Sequence, residues 1–139
     1  AVCGTYFVQT HTIGIPVVWA GFGIGLLITN ILVVNNLRDI ETDRSAGKVT
    51  LAVRLGVRGS RLEYLLSLMI AYAIPIILFF IDRSYSGSFF SWLSIPLAIR
   101  ATRELFKFSG CDLNQTLTVT ARLALLYALL FSVGILLIH

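Results

Sequence analysis

The chain has 139 residues, 57% hydrophobic and only 13% charged, with a formal net charge of +4. Soluble domains carry roughly 25% charged residues, so the composition excludes an ordinary soluble fold and points to a lipid bilayer as the surrounding solvent. It also argues for no nucleic-acid partner, because the basic residues punctuate apolar runs instead of collecting on one soluble face.

Residues 1–37 hold no Lys, Arg, Asp or Glu. The chain opens at Ala1 without a basic leader region, which argues against a signal peptide and predicts the later part of a longer protein. Residues 13–34 are long enough for a helix across the hydrocarbon core, which takes about 20 residues. Pro16 sits near its start, where a missing N–H costs least. Gly21 and Gly25 form a GxxxG pair, read as a close-packing face for a neighbouring helix. A polar segment, 35–61, follows. The second apolar run, 64–81, carries Pro75 as an expected kink. After a polar turn at 82–88, a third run, 89–99, continues helically through 101–106. The fourth, 123–138, is approached through 118–122. The expectation is an all-α integral-membrane bundle with about four transmembrane helices.

The charges orient it. Arg38, Arg44, Lys48, Arg54, Arg58 and Arg61 lie between the first two helices, and Arg100, Arg103, Lys107 and Arg122 border the loop before the last. Arg83 alone lies on the opposite side. By the positive-inside rule the loop after the first helix is cytoplasmic, and His139 ends on the far side.

Asp39 and Asp43 carry the chemistry. If the first helix continues past Val34, then Asn35, Asp39 and Asp43 recur every four residues and share one face, with Asn36 and Thr42 beside it. Glu41 points elsewhere. Two carboxylates one turn apart at the mouth of a membrane helix repel unless a cation joins them. Mg²⁺ suits that place, since it is held by one or two carboxylates together with substrate phosphates. Arg38, Lys48 and Arg54 lie near enough in sequence to contact phosphate oxygens. The competing reading is a solvated loop with internal ion pairs, because short D-x-x-x-D spacings recur by chance.

Other features add little. Gly47-Lys48-Val49-Thr50 fails as a P-loop, because Thr42 stands where the first glycine belongs and Val49 replaces the Ser or Thr. Cys3 and Cys111 have no CxxC spacing and read as free thiols. Asp112 and Asn114 either help close a cavity or belong to a solvated loop. A small membrane carrier is the rival class, but it needs polar groups in mid-membrane, and the first helix offers little besides Thr29 and Asn30.

The stretch Asn35-Asn36-Leu37-Arg38-Asp39-Ile40-Glu41-Thr42-Asp43, with Gly47-Lys48-Val49-Thr50-Leu51-Ala52-Val53-Arg54-Leu55-Gly56 behind it, resembles the second Asp-rich motif of the UbiA superfamily of membrane prenyltransferases. It is most similar to the branch that acts on 1,4-dihydroxy-2-naphthoate in menaquinone biosynthesis. Gly4-Thr5-Tyr6-Phe7 resembles the end of the preceding helix in those enzymes. The resemblance implies a nine-helix bundle around a lipid-accessible cavity, with residues 1–139 as the C-terminal part of that single domain. It implies that two Asp-rich motifs hold Mg²⁺ and the diphosphate of a polyprenyl diphosphate, whose allylic carbon then alkylates the aromatic acceptor. Carried over by motif position, Asp39 and Asp43 are metal ligands, Asn35 and Asn36 line the pocket, and Arg38 and Lys48 contact the diphosphate. The first Asp-rich motif is absent from these residues, so they are not expected to catalyse transfer alone. Related branches, with phytyl donors or with ubiquinone and haem O precursors as acceptors, are the neighbouring alternatives. A bacterial inner membrane is the expected location.

Overall fold

The computed structural model describes residues 2–138 and is helical nearly throughout. Six α-helices follow in order: α1 (Val2–Thr10), α2 (Ile15–Arg38), α3 (Ile40–Ser45), α4 (Leu51–Ile81), α5 (Ile95–Lys107) and α6 (Leu113–Ile138). A 3₁₀ segment, Arg83–Ser94, joins α4 to α5, and a shorter one, Gly110–Asp112, precedes α6. The helices α2, α4 and α6 are long and apolar enough to cross a membrane. His139, expected on the far side, lies outside the described residues.

The sequence pattern explains why these three pack together. On α2 the buried ridge runs through Gly23, Leu27, Asn30, Val34 and Leu37. On α4 it runs through Ser60, Tyr64, Ser67, Ala71, Ile74 and Leu78. On α6 it includes Thr116, Thr120, Leu123 and Tyr127. Steps of four and three alternate, the spacing that keeps one seam turned toward a partner helix. Small residues in each seam let the backbones approach, and lipid tails offer helices no hydrophobic gain, so packing and polar bonds hold the bundle.

Those polar bonds are specific. Asn30 Nδ2 donates to the Tyr64 carbonyl at 3.1 Å, joining α2 to α4. Tyr64 Oη meets Thr120 Oγ1 at 3.1 Å, joining α4 to α6. Pro75 has no N–H to give the carbonyl of Ala71, four residues earlier, and Tyr127 Oη on α6 donates to that oxygen at 2.7 Å. An orphaned carbonyl costs about 1–3 kcal/mol in protein interiors, so the tyrosine removes the penalty that proline creates.

Several expectations about local structure need correction. Backbone angles leave the helical region of α4 at Gly56 (φ 67°, ψ 178°), not at Pro75. Only glycine adopts that conformation cheaply. The polar segment 35–61 is largely helical: Thr50 caps α4, its side chain accepting from Val53 N–H at 3.3 Å, and the helix starts at Leu51 rather than near residue 64. The GxxxG pair packs at one of its two glycines only, and the face turned to α4 is another. Gly23, between its two glycines, lies against α4, where an added Cβ would sit 3.0 Å from Ile74 Cγ1. Gly21 meets α1, and Gly25 meets nothing within 4 Å among the described residues.

The third predicted span is also built differently: among the described residues no helix between α4 and α6 is long and apolar enough to cross a membrane, so three such helices stand where about four were expected. The chain leaves α4 at one end of the bundle and must return to the other, where Arg38 at the end of α2 bonds Asn114 at the start of α6. It returns through 12 residues of 3₁₀ helix and 13 of α5. At about 2.0 Å and 1.5 Å rise per residue these cover roughly 40 Å. Ser88, Ser91 and Ser94 are buried at intervals of three, the repeat that eclipses side chains in a 3₁₀ helix. Ser91 and Ser94 return their hydroxyls to the carbonyls of Ser88 and Ser91 at 2.8 and 2.6 Å. Ser94 also bonds Tyr72 of α4.

Candidate functional site

The helical path of α2 is nearly maintained through the Asp-rich stretch. Asp39 closes α2 with φ −95° and ψ 10°. Its N–H bonds the Asn35 carbonyl at 3.2 Å, and Asp43 N–H bonds the Asp39 carbonyl at 2.8 Å. The four-residue register of Asn35, Asp39 and Asp43 is therefore carried by backbone hydrogen bonds across the break.

The side chains divide between surroundings. Asp39, with Arg38, Ile40, Glu41 and Thr42, borders a cleft of about 450 Å³ whose remaining walls are Val57 and Arg61 of α4 and the 108–111 loop. Asn36 borders a different, smaller cleft of about 180 Å³ between α2 and α4, with Thr29, Ser60 and Glu63 among its walls. Asn35 is half-buried. Asp43 is 13% exposed at its side chain and faces Lys48 Nζ at 3.5 Å, outside the Asp39 cleft. Glu41, expected on another face, is exposed and borders the same cleft as Asp39 while pairing with Arg44 at 3.4 Å. The angles of Asp39 interrupt the regular helix at that point, although the four-residue backbone bonds continue through it.

Asp39 has a committed partner. Arg38 donates Nε to Oδ1 and Nη2 to Oδ2, both at 2.7 Å, and its Nη1 reaches Asn114 Oδ1 at 2.9 Å. This two-pronged bond holds the Asp39 carboxyl below the ordinary carboxylate range, helped by the charges of Arg38 and Lys48 and opposed by desolvation. A depressed carboxyl pKa makes the pair fully present above the ordinary carboxylate range and lost only as pH falls through the lowered value. Asp39 is thus an anion throughout the neutral and mildly acidic range.

The ion pairs of the solvated-loop reading are therefore present: Arg38 with Asp39, Arg44 with Glu41, and Lys48 with Asp43. Among the described residues no three His, Cys, Asp or Glu side chains gather as a metal site. The oxygen donors of Asp39 and Asp43 fit a hard cation that arrives with a diphosphate, because Mg²⁺ completes its shell with water and phosphate oxygens and needs only one or two carboxylates. They do not form a self-sufficient metal cage.

Sequence reasoning assigned no site role to Arg61 or to Phe108–Cys111, and it left Asn114 between two readings. Arg61 reads as a loop charge if α4 starts near residue 64, whereas α4 starts at Leu51. Once α4 begins at Leu51, Val57 and Arg61 stand one turn apart on one face, the signal that groups them.

The fold and the clefted Asp-rich helix end define an integral-membrane helical protein with an oxygen-rich polar site at a membrane boundary. The family model of the UbiA prenyltransferase family matches residues 1–126, and the chain belongs to that family. The 1,4-dihydroxy-2-naphthoate octaprenyltransferase of Haemophilus influenzae is 36% identical over 137 residues, covering 96% of this chain and 44% of that protein. The Escherichia coli protein of the same name is 34% identical over 139 residues, with 97% and 44% covered. Mouse UbiA prenyltransferase domain-containing protein 1 is 35% identical over 138 residues, with 99% and 39% covered. The chain thus spans under half the length of these curated relatives. No solved structure matches it significantly.

Proposed function

We propose that this chain carries one side of the donor site of a membrane prenyltransferase that moves a polyprenyl group from its diphosphate to 1,4-dihydroxy-2-naphthoate. The observation that carries this reading is the placement of the Asp39–Asp43 turn: two carboxylates and their guanidinium and ammonium partners stand at the end of a membrane helix, and Asp39 with Arg38 opens onto a cleft of about 450 Å³. The acceptor follows from the names of the Haemophilus influenzae and Escherichia coli relatives.

In this reading Asp39 and Asp43 hold Mg²⁺. When bound, the ion neutralises the negative charge that builds on the diphosphate as it departs. Arg38 exchanges its grip on Asp39 for phosphate oxygens, which match the same planar fork. Lys48, on an exposed and flexible stem, supplies a point charge to the same anion. Asn35 and Asn36 supply polar atoms beside the Asp39 cleft rather than in it, Asn36 from the smaller cleft between α2 and α4. The loop bearing these residues lies on the cytoplasmic side of a bacterial inner membrane, as the basic residues around it favour.

The test is an acceptor comparison with the complete enzyme in detergent or liposomes. Labelled polyprenyl diphosphate is expected to prenylate 1,4-dihydroxy-2-naphthoate and to leave a hydroxybenzoate untouched. Prenylation of the hydroxybenzoate with the naphthoate refused would overturn the acceptor assignment.

A further inference from the structure

Arg61 differs from the other basic residues around Asp39. Arg38, Arg44 and Lys48 each face a carboxylate of the Asp-rich stretch. Arg61, half-buried on α4, has no carboxylate in ion-pair range among the described residues. Its Nη2 donates to the Phe108 carbonyl at 3.3 Å, and its guanidinium carbon lies 5.2 Å from the centre of the Phe106 ring. Its Nε is shielded from solvent and has no acceptor among the described residues. A guanidinium fixed by a ring and a carbonyl, with a donor left over, is ordered but not neutralised. Buried polar groups in this condition are rare, because each costs desolvation energy unless a partner is supplied.

The location indicates the partner. Arg61 and Arg38 border one cleft from two different helices, and Asp39 lies in its wall as well. The acids bordering that cleft, Asp39 and Glu41, already have cations of their own. We propose that Arg61 is a substrate-binding residue for the diphosphate of the prenyl donor, clamping from α4 the anion that Arg38 and the Asp-rich turn hold from α2. This rests on the donor-site reading above. A diphosphate fits better than a singly charged carboxylate, because it offers several oxygens to the five N–H donors of each guanidinium and more charge to two cations at once. Arg61 also borders a neighbouring groove with Arg58 and Phe106, so the phosphate of an anionic lipid is the other source of the same chemistry.

The experiment measures Arg61→Gln and Arg61→Lys in the complete enzyme, reconstituted in phosphatidylcholine nanodiscs with and without phosphatidylglycerol. For the Gln variant the donor KM is expected to rise about tenfold or more, and inhibition by inorganic diphosphate to weaken by a similar factor. The acceptor KM stays unchanged in both lipid mixtures. The Lys variant keeps the charge but not the fork, so its donor KM rises by a smaller factor of about three. Unchanged diphosphate inhibition in either folded variant overturns the proposal. So does a change in acceptor KM alone, or an effect confined to nanodiscs containing the anionic lipid. If the wild-type enzyme transfers no prenyl group to any acceptor, the donor-site reading itself fails. An active wild type indifferent to Arg61 sinks only the present inference.

Discussion

Asp39→Asn and Asp43→Asn are each expected to lower prenyl transfer by the complete enzyme about 100-fold or more, the scale seen when charge stabilisation is removed from a developing anion. The substitution keeps size and one oxygen but removes the negative charge that a divalent cation requires. Stability should fall by no more than about 1–2 kcal/mol, since the two-pronged Arg38–Asp39 pair is 25% and 35% exposed and the less exposed Asp43 faces an exposed Lys48. Glu41→Gln is the matched control. Its carboxylate is 77% exposed and loosely paired with Arg44, so activity should stay within about twofold of wild type. Steady-state rates and melting temperatures measured together separate a site effect from a folding one. If both Asp variants keep full activity, or if they lose it only by unfolding, the assignment of these carboxylates to the donor site is wrong.

Gly134→Val is expected to remove most folded protein, a loss of about 3 kcal/mol or more. Gly134 of α6 and Gly87 of the 3₁₀ segment meet backbone to backbone, and a Cβ on either would overlap the carbonyl oxygen of the other. On Gly134 it would also lie 3.0 Å from Phe90 Cβ. Backbone atoms cannot rotate aside as a flexible side chain can, so the two elements must part. That separation strains the bonds by which the 3₁₀ segment is fastened to α4, among them Trp92 Nε1 to the Tyr72 carbonyl at 3.2 Å. Gly134→Ala should show the same effect in milder form. Thermal melting of the detergent-solubilised protein, followed by size-exclusion, checks both. An unchanged melting temperature in Gly134→Val means the two backbones do not touch.

Much of this architecture was legible in the sequence. The uncharged first 37 residues announce α2, because a long apolar run has no better place than a bilayer. The four-residue recurrence of Asn35, Asp39 and Asp43 is a matter of helical geometry, and backbone bonds preserve that register past Arg38. Other parts were hidden for physical reasons. Arg54, Arg58 and Arg61 give the start of α4 the appearance of a loop, although Thr50 is an N-cap residue placed one position before Leu51. The serine spacing of three at 88, 91 and 94 stands in the sequence, but hydrophobicity windows ignore serine, so the third apolar run reads as ordinary α-helix. The Arg38–Asp39 bond joins neighbours in sequence, a pairing that helical spacing does not suggest, since adjacent helix residues do not face each other. The Tyr127–Ala71 bond depends on a tertiary contact 56 residues away, which no local pattern encodes.

Whether the Asp-rich turn binds a diphosphate through Mg²⁺ is read by calorimetric titration of inorganic diphosphate into the complete enzyme, with and without Mg²⁺, for wild type, Asp39→Asn and Asp43→Asn. Binding that requires Mg²⁺ and weakens at least about tenfold in either variant is the predicted result. Binding that is equally tight without Mg²⁺, or unchanged when both aspartates are replaced, would contradict it.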